Sequence, residues 1–268
     1  MSRRTGWSSS RRRVRPSTPD LVVWILAAVV LVAAVTHAVQ IGRLSLSTII
    51  FIGVLIPTIM FHEVSHGVVA YWCGDDTAKR AGRLSLNPMR HLDPIGSVIV
   101  PIGLVLLGGP GFGWARPVPV TLNRLRHPRN QAILVALAGP ISNAILAAGA
   151  AVGLHFLLAA HPDQAFPVVV TILSDHAIGS GAVFWLGTVI GFIGLVNLFI
   201  GAFNLLPIPP LDGSALLERF IPIQALPTYY RIRMAFIIVV LVFVFLDRGL
   251  LGSLYVHLSN WYLTLVIR

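Results

Sequence analysis

Residues 46–72 form an almost wholly apolar run, yet it carries His62, Glu63 and His66 in the order His-Glu-Val-Ser-His. A run of this length and character is a membrane-spanning helix, since ~20 apolar residues suffice to cross a bilayer. On a helix, residues four apart share one face, so His62 and His66 can grip one metal ion with Glu63 beside them. Ionisable groups inside a spanning segment are costly and mark function. The pattern predicts a hydrolytic metal site built within the membrane.

Composition sets the frame for that helix. The chain has 268 residues, 56% of them hydrophobic, a mean hydropathy of +0.81, and only 11% charged. Soluble domains carry roughly 25% charged residues, so this is a polytopic membrane protein. Its net charge is +10, but six arginines crowd into residues 3–15 and most others fall in short loops between apolar runs. Such a distribution is an orientation signal rather than a nucleic-acid footprint, and no nucleic-acid partner is expected. Cys73 is the sole cysteine, which excludes an intrachain disulfide and a cysteine-rich structural zinc site.

The order of runs predicts an all-α membrane protein of about six transmembrane helices. Residues 1–20, rich in Arg, Ser and Pro, read as a disordered basic cytoplasmic tail, and residues 21–268 as a single membrane-embedded domain. The first run, 21–39, exceeds the ~7–15 residues of a signal-peptide core and is read as a retained helix. The second is 46–72, with Pro57 expected to kink it. Residues 95–107 are too short to span and contain Gly96, Pro101 and Gly103, so they are expected to form a re-entrant or extended hairpin between helices 2 and 3. The Gly- and Pro-rich stretch after it feeds an extended segment near Trp114–Val120. Further runs cover 132–160, 182–206, 232–246 and the weaker 250–267, which either spans or lies in the interface. Gly187, Gly191, Gly194 and Gly201 are read as helix-packing positions. Arg-rich and Arg-poor loops alternate, which places both termini in the cytoplasm and the His/Glu cluster in the cytoplasmic half of its helix. With no organelle-targeting pattern, the expected home is a plasma membrane.

Two histidines do not complete a catalytic zinc site, which uses three protein ligands. On the cytoplasmic side the candidates are Cys73, His91, Asp93, Asp212 and Glu218. Asp212 is favoured because Pro207, Pro209 and Pro210 prevent a regular helix just before it, and irregular backbone at membrane depth lines a cavity or is buried in protein.

These residues resemble the site-2 protease family of intramembrane zinc metalloproteases. The matching pieces are His62 through His66, Gly139-Pro140-Ile141-Ser142-Asn143, and Asn204 through Gly213. Leu86-Asn87-Pro88, Asp93-Pro94-Ile95-Gly96 and Gly113 through Val118 are similar to the family's connecting region. The resemblance implies one zinc ion per chain on His62, His66 and Asp212, with Glu63 as the general base. It implies substrate contact for Asn204, and substrate contact or core packing for Asn143. The expected activity is hydrolysis of peptide bonds in or near transmembrane segments of membrane-protein substrates, at a site open to the cytoplasm. The expected surroundings are transmembrane substrates and the lipid bilayer; nothing in the sequence gives an oligomeric state. The chain departs from better-known members in showing no inserted substrate-presenting domain.

Two other readings use the same residues. A metal transporter or sensor would also place His and Asp at membrane depth, but transporters show internal repeats, and no convincing repeat is found. A catalytically silent binder of membrane proteins has no need of Glu63.

Overall fold

The computed structural model describes residues 46–93, 95–96, 116–174, 177–232 and 248–267, together with positions 29 and 32. The expected basic tail, the bulk of the first and fifth apolar runs, and the hairpin beyond Gly96 lie outside the described residues.

The described chain is helical and contains no strand. Its elements are α1 (Leu46–Trp72), α2 (Thr77–Arg80), α3 (Pro128–Ala160), α4 (Ala165–Ser174), α5 (Ala182–Asn204), α6 (Ser214–Phe220) and α7 (Arg248–Ile267). Short 3-10 turns at Pro88–Arg90 and Leu122–Arg124 interrupt the connection from α2 to α3. Among the described residues, three helices are long and apolar enough to cross a membrane: Ile49–Trp72, Pro128–Ala160 and Ala182–Asn204. Their outward faces stay apolar, as at Ile49, Ile145, Val152 and Phe156, all exposed. Such faces are stable against lipid and not against water.

Helix ends follow local chemistry. The third run begins at Pro128, earlier than the hydropathy pattern alone indicates, because proline suits the first helical turn, whose N–H groups have no partner. The fourth stops at Asn204, short of residue 206, since Pro207 disfavours helical geometry at the residue before it. Pro57 sits inside α1, which continues through it.

The core forms where α5 packs against α3, with α1 across both and α4 and α7 closing the far end. Leu154, Val168, Phe184, Phe192, Leu195, Tyr262 and Val266 fill it. The α5 glycines allow this approach. A Cβ on Gly191 would collide with Ile172, one on Gly194 with the Tyr262 hydroxyl, and one on Gly187 would sit 3.0 Å from Val168. Close backbone packing through small residues is how membrane helices gain dispersion energy when lipid is as apolar as their side chains. The 250–267 run is part of a 20-residue helix, α7, that docks on this core through Tyr262, Leu263 and Val266.

Candidate metal centre

Residues 62–66 fall in the C-terminal half of α1, and helical spacing stacks His62 over His66. Their rings meet edge to face at 4.7 Å between centroids, and both are buried. Their Nε2 atoms lie 3.1 Å apart. Asp212 Oδ2 lies 3.0 Å from Nε2 of His62 and 3.3 Å from Nε2 of His66.

The other ring nitrogens decide what those three atoms carry. His62 Nδ1 is 2.6 Å from Asn143 Oδ1, and His66 Nδ1 is 2.6 Å from the Val135 carbonyl. An amide or peptide oxygen can only accept, so both Nδ1 atoms hold the proton and both Nε2 atoms present a lone pair. Two lone pairs and a carboxylate oxygen thus converge, and Asp212 Oδ2 is buried without a hydrogen-bond donor. Such a cluster is repulsive unless a cation joins it. Two imidazoles and a carboxylate are a donor set that suits zinc. Among the described residues, His62, His66 and Asp212 form the group of ligand atoms close enough, within 4.8 Å of one another, to hold a metal ion.

Three backbone devices make the cluster possible. Gly139 of α3 faces both imidazoles, and a Cβ there would lie 2.5 Å from His66 Nε2 and 2.6 Å from His62 Nε2. The chain from Leu205 to Asp212 folds back on the end of α5, with a cis bond between Pro209 and Pro210. Its neck is closed by the Gly213 N–H donating to the Asn204 carbonyl at 2.7 Å, and a Cβ on Gly213 would strike the Leu205 and Leu206 carbonyls. Asp212 is therefore presented by a tight loop rather than a helix. Behind it, Arg129 of α3 donates to the carbonyls of Arg219 and Ile221, tying down the end of α6.

Glu63, beside the ligands, is half-buried, and its Oε2 accepts the Val118 N–H at 2.9 Å. Val118 reaches α1 because position 67 is glycine: a Cβ there would lie 2.8 Å from Val118 Cγ1 and 2.6 Å from Leu84 Cδ2. The rest of this segment is pinned on the same side. Arg116 N–H donates to the His91 carbonyl at 2.7 Å, and Thr121 N–H to Asp75 Oδ2 at 2.5 Å. Pro117 and Pro119 have no N–H to give. Of the Trp114–Val120 stretch, residues 116–120 are described, and they pair with no strand there.

Each sequence-level candidate now has a place. Asn143 is fully buried, bonded to His62 on one side and to Asn197 on the other. Asn204 donates its amide to the Ile200 carbonyl at 3.0 Å, within its own helix. Cys73 is buried at the end of α1, His91 Nε2 bonds the Ser85 carbonyl, Asp93 caps the Ile95 and Gly96 N–H groups, and Glu218 accepts from the Tyr230 hydroxyl, so none of the four joins the cluster. Sequence reasoning missed the Val135 carbonyl, the Val118 N–H and Asn197, and gave no role of its own to Gly139 within the matched Gly139–Asn143 stretch. Only Asn197 carried a visible signal, an amide within the apolar run of α5.

Residues 50–246 match the model of Peptidase family M50. The Bacillus subtilis protein named "Putative zinc metalloprotease YwhC" is 39% identical over 170 residues, which cover 63% of this chain and 67% of that protein. The Mycolicibacterium smegmatis protein named "Putative zinc metalloprotease Rip2" is 32% identical over 215 residues, 78% of this chain and 72% of that protein. Its Mycobacterium tuberculosis namesake is 34% identical over 161 residues, 60% of this chain and 53% of that protein. No solved structure matches the chain.

Proposed function

Because this chain belongs to peptidase family M50, the site-2 protease family of zinc metalloproteases, we propose that it hydrolyses peptide bonds in or near transmembrane segments of membrane proteins. The observation that carries the proposal is the convergence of His62, His66 and Asp212 beside Glu63 on a helix built to span a bilayer. A site at that depth can act only on chains that reach into the membrane.

The residues divide the work. His62, His66 and Asp212 hold the zinc ion, which when bound supplies a Lewis acid. Glu63 takes the proton of the attacking water and returns it to the leaving amine. The Val118 N–H holds one carboxylate oxygen, so the other is free to face the water. Asn143 keeps His62 in its metal-binding tautomer. Asn204, one residue before the folded-back loop that presents Asp212, takes the substrate-contacting role that the family resemblance implies for it.

We assign the active site to the cytoplasmic side of a plasma membrane, with both termini in the cytoplasm, a basic tail over residues 1–20 and one catalytic domain over 21–268. The alternation of Arg-rich loops supports this, as does the position of His66, six residues or roughly 9 Å from the end of α1. Six spans and a re-entrant hairpin over 95–107 complete the topology.

The deciding experiment compares wild type, Glu63→Gln and Asp212→Ala, purified and reconstituted with a transmembrane substrate. Zinc per chain should be near one in wild type and Glu63→Gln and fall in Asp212→Ala, while both variants lose cleavage. Cleavage by Glu63→Gln at the wild-type rate would refute the assignment, and transport or binding unaffected by that change would point to the transporter or silent-binder reading.

A further inference from the structure

Thr58 of α1, Asn143 of α3 and Asn197 of α5 meet in the core, all three almost inaccessible to solvent. Asn197 Nδ2 lies 2.8 Å from the Ile193 carbonyl and 3.1 Å from Thr58 Oγ1. Its Oδ1 accepts Asn143 Nδ2 at 2.9 Å, and Asn143 Oδ1 faces His62 Nδ1 at 2.6 Å.

A side-chain amide can turn end for end, exchanging its donor and its acceptor at almost no change in shape. Nothing in Asn143 alone prevents this. Turned over, it would aim its NH2 at His62, accept nothing from Nδ1, and favour the tautomer with the proton on Nε2, where the metal must bind. What forbids the turn is the far end of the chain. The Ile193 carbonyl can only accept, so it holds the NH2 of Asn197 toward itself. Asn197 Oδ1 then faces Asn143, Asn143 must donate to it, and Asn143 Oδ1 is left for His62.

We infer that Asn197 is a positioning residue for the metal centre: through Asn143, it transmits the fixed polarity of the Ile193 carbonyl to His62 and keeps the His62 Nε2 lone pair available for zinc. The inference rests on the metal-centre reading above. It differs from plain interhelical adhesion, in which the amides would stabilise the bundle without setting which nitrogen of His62 binds.

The full chain in detergent serves for the test, with zinc affinity measured by competition against a chromophoric chelator. Asn197→Leu should weaken zinc binding about 10–100-fold, the usual effect of losing a group that orients a metal-bound histidine. Adding Asn197→Leu to Asn143→Leu should cost nothing more, because the relay is already cut. Asn197→Asp, protonated in this apolar setting, can still donate to Ile193 and accept from Asn143, and should restore affinity to within several-fold of wild type. A second measurement needs no variant. In metal-free wild type labelled with 15N-histidine, the His62 resonance should report the proton on Nδ1. A proton on Nε2, a fully additive double variant, or Asn197→Leu binding zinc as tightly as wild type would each overturn the inference while leaving the metal centre standing. Absence of zinc from wild type would overturn both.

Discussion

Gly139 shows how little room a metal site can leave. It is the point where α3 lies against both imidazoles, and one added methyl would sit 2.5 Å from ligand atoms. Gly139→Ala should therefore displace His62 or His66, lowering zinc per chain although no ligand is changed, and should cost the metal-free fold ~1–3 kcal/mol through overpacking. Gly149, on the same helix with nothing within 4 Å of its absent Cβ, is the control, and Gly149→Ala should bind zinc as wild type does. Chelator competition and thermal unfolding measure both effects. The contrast explains what the sequence could reveal at this scale. His62, His66 and Glu63 were legible because their chemistry is rare in an apolar run and their spacing is helical. Asp212 was legible because prolines announce irregular backbone. The Val135 carbonyl and the Val118 N–H were not, since every residue owns such groups and only the tertiary path decides which ones reach the site.

Among the elements, the segment 116–121 has the largest bearing on chemistry for the least regular structure. Asp75, fully buried at the end of α1, accepts from the Thr77 N–H and hydroxyl and from the Thr121 N–H, fastening the segment close to Glu63. Burial pushes its carboxyl up, but the bonds from Thr77 and Thr121 and the nearby Arg124 outweigh this and hold its pKa below the usual 3.8. A carboxyl with a depressed folded pKa adds stability above its unfolded pKa and loses it as pH falls through the folded value. In wild type that contribution should decline below pH 3.8. Asp75→Asn, which leaves a donor facing donors, should cost ~1–3 kcal/mol at neutral pH and flatten the acid limb of stability against pH. Denaturant titration across that range would show it, and an unchanged acid limb would remove Asp75 from the account. An unwound substrate chain that paired with this segment would meet an edge poor in donors. With the N–H groups of Arg116 and Val118 engaged and prolines at 117 and 119, it has carbonyls but few donors left for a substrate strand. A model substrate with proline at alternate positions beside the scissile bond lacks the N–H groups such an edge requires, and should be cut more slowly than its alanine counterpart. Equal rates would dismiss strand pairing here. Extension of 116–119 could be read from the two prolines, but the partners of its N–H groups could not.

For the molecule as a whole, hydropathy was enough to locate three spanning helices, because lipid enforces one solution for a long apolar run. It did not indicate that α3 and α5 would meet so closely, which depends on where the glycines of one helix fall relative to the bulky side chains of another. Zinc should couple to this assembly, since it binds residues that only the folded chain brings together. At a free concentration of 100 times its Kd it should stabilise wild type by ~2.7 kcal/mol. The unfolding temperature should rise with zinc in wild type and not in Asp212→Ala; a rise in both would mean the ion acts elsewhere.

His66 and Asp212 lie far apart along the chain and next to each other in space. An ion shared between them would be a clasp, and everything from residue 66 to residue 212, including in full two of the three spanning helices described, would become a closed ring of chain threaded through the bilayer. Unloaded, the protein can be drawn out of the membrane helix by helix; loaded, that ring must be opened first or dragged out in one piece.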